Sequence, residues 1–153
     1  MTYEEWLAGI PLEISNDPLW KMELFQLSLF ASDLAWHDIC KLAQDKRTVS
    51  ISDQLYRSVG SIGANIAEGY SRKSGKDQAR FYEYALGSAC EARVWYYNAR
   101  YILPKPVLDH RMQLLTQITR LLLTIIPAQR GYKLSETPQI YALSNILNNP
   151  PLP

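Results

Sequence analysis

Residues 51–69 read ISDQLYRSVGSIGANIAEG, and the spacing inside this stretch decides the fold. Leu55, Val59, Ile62 and Ile66 recur at i, i+4, i+7 and i+11, an apolar seam along one side of a helix. Gln54, Ser58, Ser61, Asn65 and Glu68 form a second stripe at similar steps, with Gly60, Gly63, Ala64 and Ala67 between the two. A helix with solvent on its outer face normally carries Lys and Glu there. This one carries small, uncharged residues, so it reads as a central helix contacted on more than one side. Ser52 is its expected N-cap, and Gly69 its expected C′ residue, where left-handed backbone is needed.

Outward from this helix the same periodicity continues. Leu27, Ala31, Leu34, Ala35, Ile39 and Leu42 mark a long amphipathic helix before it, and Phe30 and Trp36 widen its apolar arc. After it, Ser74 is a cap with Asp77 three residues on. Phe81, Ala85, Ser88, Ala92, Trp95, Ala99 and Ile102 then alternate large and small at four–three steps, the pattern of interdigitated helices. Pro104 and Pro106 stop that helix. Leu108, Met112, Leu115, Leu122 and Ile126 carry a fourth, expected to end near Pro127. The spacing predicts helices over 20–45, 52–69, 74–103 and 106–127. The fold class is all-α, an antiparallel up-down four-helix bundle over residues 21–130.

The flanks read differently. Residues 1–20 form an N-terminal arm, with a short helix over 2–8 that Thr2 and Glu5 cap and that Pro11 and Pro18 keep from lengthening. Residues 131–153 form an extended, Pro-containing C-terminal tail, with Tyr141, Leu143 and Ile146 as its docking residues.

A chain of 153 residues with 47% hydrophobic content fits one domain with its own core. No stretch approaches the roughly 18 apolar residues of a membrane span. The start, MTYEEWLAGIPLE, lacks the basic region and cleavage site of a signal peptide. Cys40 and Cys90 read as reduced core thiols, and the expected location is cytoplasmic. The net charge of +1 conceals a segregation. Residues 1–38 hold one Lys against seven acids, giving −6, and the remainder holds fifteen Lys and Arg against eight acids, giving +7. Such asymmetry points to an electrostatic partner, either another subunit or a polyanion.

Catalytic chemistry finds no purchase. GYSRKSGKD over 69–77 has the glycines of a phosphate loop at the wrong spacing, Asp77 where Ser or Thr would bind magnesium, and no preceding strand. His37 and His110 have no companions at metal-ligand spacing. No serine has a base held against it. The expectation is a non-enzymatic protein with no cofactor and no metal.

Two constellations remain. Gln54, Arg57, Ser61, Asn65, Glu68 and Glu91 form a polar stripe, expected to fix register through interhelical bonds, with Arg57 meeting Glu91. Glu68 is expected to meet Lys76, Arg80 or its own side of the turn. Arg72, Lys73, Lys76 and Arg80, with Tyr70 beside them, form the candidate nucleic-acid surface. Arg72, Lys76 and Arg80 are spaced by four, next to a positive helix N-terminus, and Tyr70 can stack on a base. The bland alternative is a solvated turn with local ion pairs.

The residues Gln54-Leu55, Arg57, Ser61-Ile62, Asn65–Gly69, Arg72, Ser74, Phe81, Ala85, Gly87-Ser88 and Glu91 resemble the signature of a bacterial four-helix-bundle family. That family was first noticed as reading frames in intervening sequences of 23S ribosomal RNA genes. It is sister to the accessory variability determinant of diversity-generating retroelements. The match is specific over 51–91 and looser over 24–43 and the fourth helix. The family's Arg-Arg pair is Tyr56-Arg57 here. The resemblance implies a homopentameric ring, association with RNA or DNA, and, from the retroelement relatives, a reverse transcriptase as protein partner. Phe30, Trp36, Tyr82, Leu86, Trp95, Tyr96 and Tyr97 exceed what one seam can bury, which also points to self-association. The functional expectation is an oligomeric RNA- or DNA-binding accessory protein; the alternative is a protein-interaction scaffold with no nucleic-acid role.

Overall fold

In the computed structural model, which describes residues 2–132 and 144–153, Thr2 opens helix α1 (Tyr3–Ala8). Its hydroxyl accepts the Glu5 N–H at 3.2 Å, and the Glu5 carboxylate accepts the Thr2 N–H at 2.7 Å, the expected capping box. Pro11 precedes the one-turn helix α2 (Leu12–Ser15), and Asp17 caps a 3-10 turn over Pro18–Lys21. Four long helices follow: α3 (Glu23–Leu42), α4 (Val49–Tyr70), α5 (Gly75–Asn98, extended by a 3-10 turn over Ala99–Tyr101) and α6 (Lys105–Gln129). A short α7 (Ser144–Leu147) lies in the C-terminal segment. Among the described residues every regular element is helical.

Helix α4 packs between α3 and α5, while α6 lies on α5 and also meets α3. Leu55, Val59, Ile62 and Ile66 are fully buried, as the seam required. Gly63 brings α3 close: a Cβ there would lie 3.0 Å from Ser28 Oγ. Gly69 has the same kind of role and not the one its place in the sequence indicated. The helix continues through it to Tyr70, and a Cβ at Gly69 would meet the Tyr82 ring at 2.7 Å. Glycine is required there by packing.

Helix α4 also starts earlier than Ser52. Thr48 precedes it, with its hydroxyl donating to Leu42 O at 2.6 Å, and Ser52 donates to Val49 O at 2.7 Å from inside the first turn. Neither hydroxyl caps α4; Thr48 is bound back to the end of α3, and the helix starts immediately after it. Helix α5 corrects the expected register. Its buried line is Ala79, Tyr82, Ala85, Ala89, Ala92, Tyr96 and Ala99, whereas Phe81, Ser88, Trp95 and Ile102 are only half-buried. A helix held by α4 on one side and α6 on the other buries the arc between them, which a four–three count alone does not locate. Helix α6 passes Pro127 to end at Gln129.

Phe30, Tyr82 and Tyr96 fill the interior, so they leave the outward apolar set, whereas Trp36 and Tyr97 remain exposed. Both cysteines are exposed free thiols, not core residues. Cys90 directly follows buried Ala89, and Cys40 lies two residues from buried Asp38 and from buried Leu42. The first twenty residues contribute to the core: Trp6 and Leu19 are buried, and Trp6 lies 5.1 Å from the Phe30 ring. No described helix is long and apolar enough to cross a membrane.

Candidate functional site

The turn between α4 and α5 gathers the predicted cations. Ser74 accepts the Asp77 N–H at 3.1 Å and so starts α5, while Gln78 Nε2 donates to Arg72 O at 2.9 Å and pins the turn. Arg72 pairs with the Glu68 carboxylate one helical turn back, which satisfies the expectation that Glu68 bonds on its own side. Arg72 also lies 4.7 Å from the centre of the Phe81 ring. Arg80 approaches the same ring at 5.5 Å and the Asp77 carboxylate at 3.8 Å. Phe81 is therefore flanked by two guanidinium groups, with Tyr84 edge-on to it at 5.7 Å. Tyr70 and Tyr84 are exposed. Lys73 and Lys76 are exposed and have no ion-pair partner among the described residues. Two cations of the four are thus partly neutralised, and the other two have no ion-pair partner among the described residues.

The polar stripe is placed differently from its expectation. Arg57 is 70% exposed and pairs loosely with Asp53 at 3.7 Å on its own helix, so it does not meet Glu91. Glu91 accepts instead from Trp95 Nε1 at 3.1 Å. Asn65 donates to Ser61 O at 2.8 Å, and Gln54 and Glu68 are exposed. The face of α4 turned toward α5 is the apolar seam, which leaves the charged members of the stripe pointing outward.

A second constellation escaped the sequence reading. Arg111 of α6 and Asp38 of α3 are 1% and 0% exposed, an ion pair sealed inside the molecule. Arg111 Nε donates to Asp38 Oδ2 at 2.7 Å and Nη2 to Oδ1 at 3.1 Å, a two-point fork. Tyr96 donates to Asp38 Oδ2 at 2.7 Å. Burial, followed by the Asp38 charge, pushes the Tyr96 hydroxyl well above its ordinary range, keeping it a donor. The guanidinium has two further partners: Nη2 reaches Pro151 O in the C-terminal segment at 2.9 Å, and Nη1 reaches Nδ1 of the adjacent His110 on α6 at 2.9 Å. With Nδ1 accepting, His110 carries its proton on Nε2 and donates it to Ile146 O at 2.5 Å. Burial lowers the His110 pKa, in keeping with this neutral form. The cluster has every polar atom committed and no nucleophile. Its chemistry is that of an anchor for the C-terminal segment.

The sequence held a signal for it. Asp38 stands at four- and three-residue steps from Leu34, Ala35 and Leu42, and Arg111 from Val107, Leu114 and Leu115. Opposite charges in the middle of two apolar stripes mark a buried pair. Among the described residues no three metal-ligating side chains come together.

Long helices around an apolar seam, with an outward cationic turn, define an all-helical protein. The chain belongs to the 23S rRNA-intervening sequence protein family, whose model matches residues 21–126. It is similar to a solved protein of unknown function from the S23 ribosomal protein family of Bacteroides thetaiotaomicron VPI-5482. The two share 26% identity with a TM-score of 0.64, over 67% of this chain and 97% of that one. No curated protein matches it significantly. The family match contains Asp38, the cationic turn and Arg111, and it stops before the C-terminal segment that Arg111 holds.

Proposed function

We propose that this chain is a non-enzymatic, homo-oligomeric accessory protein that binds RNA or DNA through the α4–α5 turn. In this reading the four long helices form an antiparallel up-down bundle, and five copies close into a ring that repeats the turn around its rim. The observation that carries the proposal is the pair of exposed ammonium groups, Lys73 and Lys76, without ion-pair partners among the described residues, beside the Arg72–Phe81–Arg80 stack at the start of α5. Ammonium groups take phosphates, and exposed Tyr70 and Tyr84 offer faces to bases. Family membership supports an RNA connection, because the family is named for 23S rRNA intervening sequences. A reverse transcriptase is the protein partner implied by the resemblance to the retroelement relatives, and the cell compartment is the cytoplasm.

Fluorescence anisotropy of a labelled oligonucleotide tests this reading. Two phosphate contacts per subunit give a slope of log K against log salt of about −1.4 for a single strand. Lys73→Ala/Lys76→Ala is expected to abolish that slope together with the binding. Equal binding by both proteins overturns the assignment of the turn.

The second reading is a protein-interaction scaffold. It rests on exposed Trp36, edge-on to Tyr56 at 5.8 Å, and on exposed Val94 and Tyr97, apolar surface that nucleic acid does not need. Light scattering of Trp36→Ser and Tyr97→Ser separates the two: loss of the oligomer with oligonucleotide binding per chain unchanged favours a contact surface.

A further inference from the structure

Arg111 and His110 direct buried donors at the backbone of a segment more than thirty residues away in sequence. Both bonds go to carbonyl oxygens, those of Ile146 and Pro151, so they read backbone and not side-chain identity. Selectivity comes from what is buried beside them: Ile146 enters the hydrophobic core, and Pro150 is buried. Pro150, Pro151 and Pro153 fix the backbone in advance, which reduces the ordering cost of docking. Leu152 and Pro153 then border an open groove of about 320 Å³ with His37, Cys40, Lys41 and Gln44. The site has the parts of a peptide-binding site: an apolar hole, two side-chain donors to backbone carbonyls and a groove that continues past them.

Covalent reach sets who can fill it. Helix α6 runs from Arg111 to Gln129 away from the site; 129 − 111 gives 18 residues, or about 27 Å. Tyr132 and Ile146 are 146 − 132, or 14, residues apart, a contour of up to about 46 Å. That contour exceeds the length of helix it runs back along, so covalent reach does not confine the segment to the site of its own chain.

We propose that the Asp38–Tyr96–His110–Arg111 cluster is an exchangeable docking site whose second occupant is residues 144–153 of another copy of the chain. The swapped contact is bond for bond the resident one, so exchange costs only the loss of the tether. A tether of about 14 residues supplies an effective concentration on the order of 1 mM, and a protein at ~0.1 mM therefore swaps about a tenth of its segments. The proposal stands apart from the nucleic-acid reading, because it uses a different end of α6 and no residue of the cationic turn.

Cys40 provides the test, since it is exposed and borders the same groove as Leu152. The full chain carrying Leu152→Cys and Cys90→Ser is oxidised with oxidised glutathione and resolved on a non-reducing gel. The expected products are a disulfide within one chain and a disulfide between chains. The second is expected to rise roughly a hundredfold in share from ~1 µM to ~0.1 mM protein, as the tether argument requires. Adding Ile146→Asp, which keeps the segment from seating, is expected to abolish both products while the helical circular-dichroism signal persists. An excess of a synthetic peptide of residues 144–153 is expected to suppress both. Intrachain disulfide alone at every concentration overturns the exchange. Interchain disulfide that survives Ile146→Asp reports random collision and overturns it equally, and the absence of any disulfide overturns the docked segment itself.

Discussion

The N-terminal segment is held by rings, and the C-terminal segment by hydrogen bonds. Tyr3 stacks on Trp6 at 5.5 Å, both lie against Phe30 at 5.0 and 5.1 Å, and Trp20 closes the group at 6.0 Å from Trp6. Only the edges are polar, with Trp6 Nε1 donating to Asp33 at 2.5 Å. Burial, assisted by Glu23, pushes the Tyr3 hydroxyl up to about 12. At the other terminus Ile146 and Pro150 are buried, and Arg111 and His110 hold the backbone by hydrogen bonds. The difference has an energetic meaning. Ring burial is non-directional and degrades gradually, whereas a buried charged network works only when each member is satisfied.

Breaking the network gives the largest effect. Arg111→Gln leaves Asp38 buried without its counter-charge and is expected to cost about 3–5 kcal/mol in urea unfolding. Replacing both partners sharpens the contrast. Asp38→Leu/Arg111→Met is expected to recover most of that loss, because a buried pair gives little net stability over apolar residues. The double variant is nevertheless expected to lose C-terminal docking, read as faster proteolysis after residue 132, because no guanidinium remains for Pro151 O. Trp6→Ala, the matching test at the other end, is expected to cost roughly 3 kcal/mol and to leave C-terminal docking unchanged.

Acid distinguishes the two ends with a smaller effect. His110 has a folded-state pKa below its unfolded value of about 6.5, so the unfolded chain takes up the proton first as pH falls. The stability linked to neutral His110 is complete above that value and is lost as pH falls toward the folded pKa. A proton on Nδ1 would face the Arg111 guanidinium, while Asp38 partly offsets it. The C-terminal segment is therefore expected to become protease-sensitive in mild acid, and His110→Phe to lose that dependence; the ring-held N-terminal segment is expected to show none. The smallest effect belongs to the cationic turn. Ser74→Ala removes the α5 cap and is expected to lower thermal stability by about 1 kcal/mol, with both ends still docked.

The legible parts of this chain are those that depend on neighbours along it. The Leu55–Ile66 seam, the Thr2–Glu5 box and the Ser74 cap all rest on residues three or four apart, and each stands where the spacing put it. Errors began where one helix had to be turned against another. Arg57 and Glu91 each bond within their own helix, to Asp53 and Trp95, and the buried line of α5 is displaced onto Tyr82 and Tyr96. Tyr141 and Leu143, named as docking residues with Ile146, lie outside the described residues; Ile146 itself is buried.

By itself the sequence determined the helices, their approximate ends, the apolar seam and the cationic turn, because hydrophobic period, proline and capping side chains act within one or two turns. Tertiary structure alone decided that Asp38, Tyr96 and Arg111 meet, that Gly69 serves packing, and that Ile146 and Pro151 offer their carbonyls to α6. Those contacts join residues 58, 73, 36 and 40 positions apart. Their geometry depends on the rotation and depth of one helix against another, and side-chain volumes across the whole core set both.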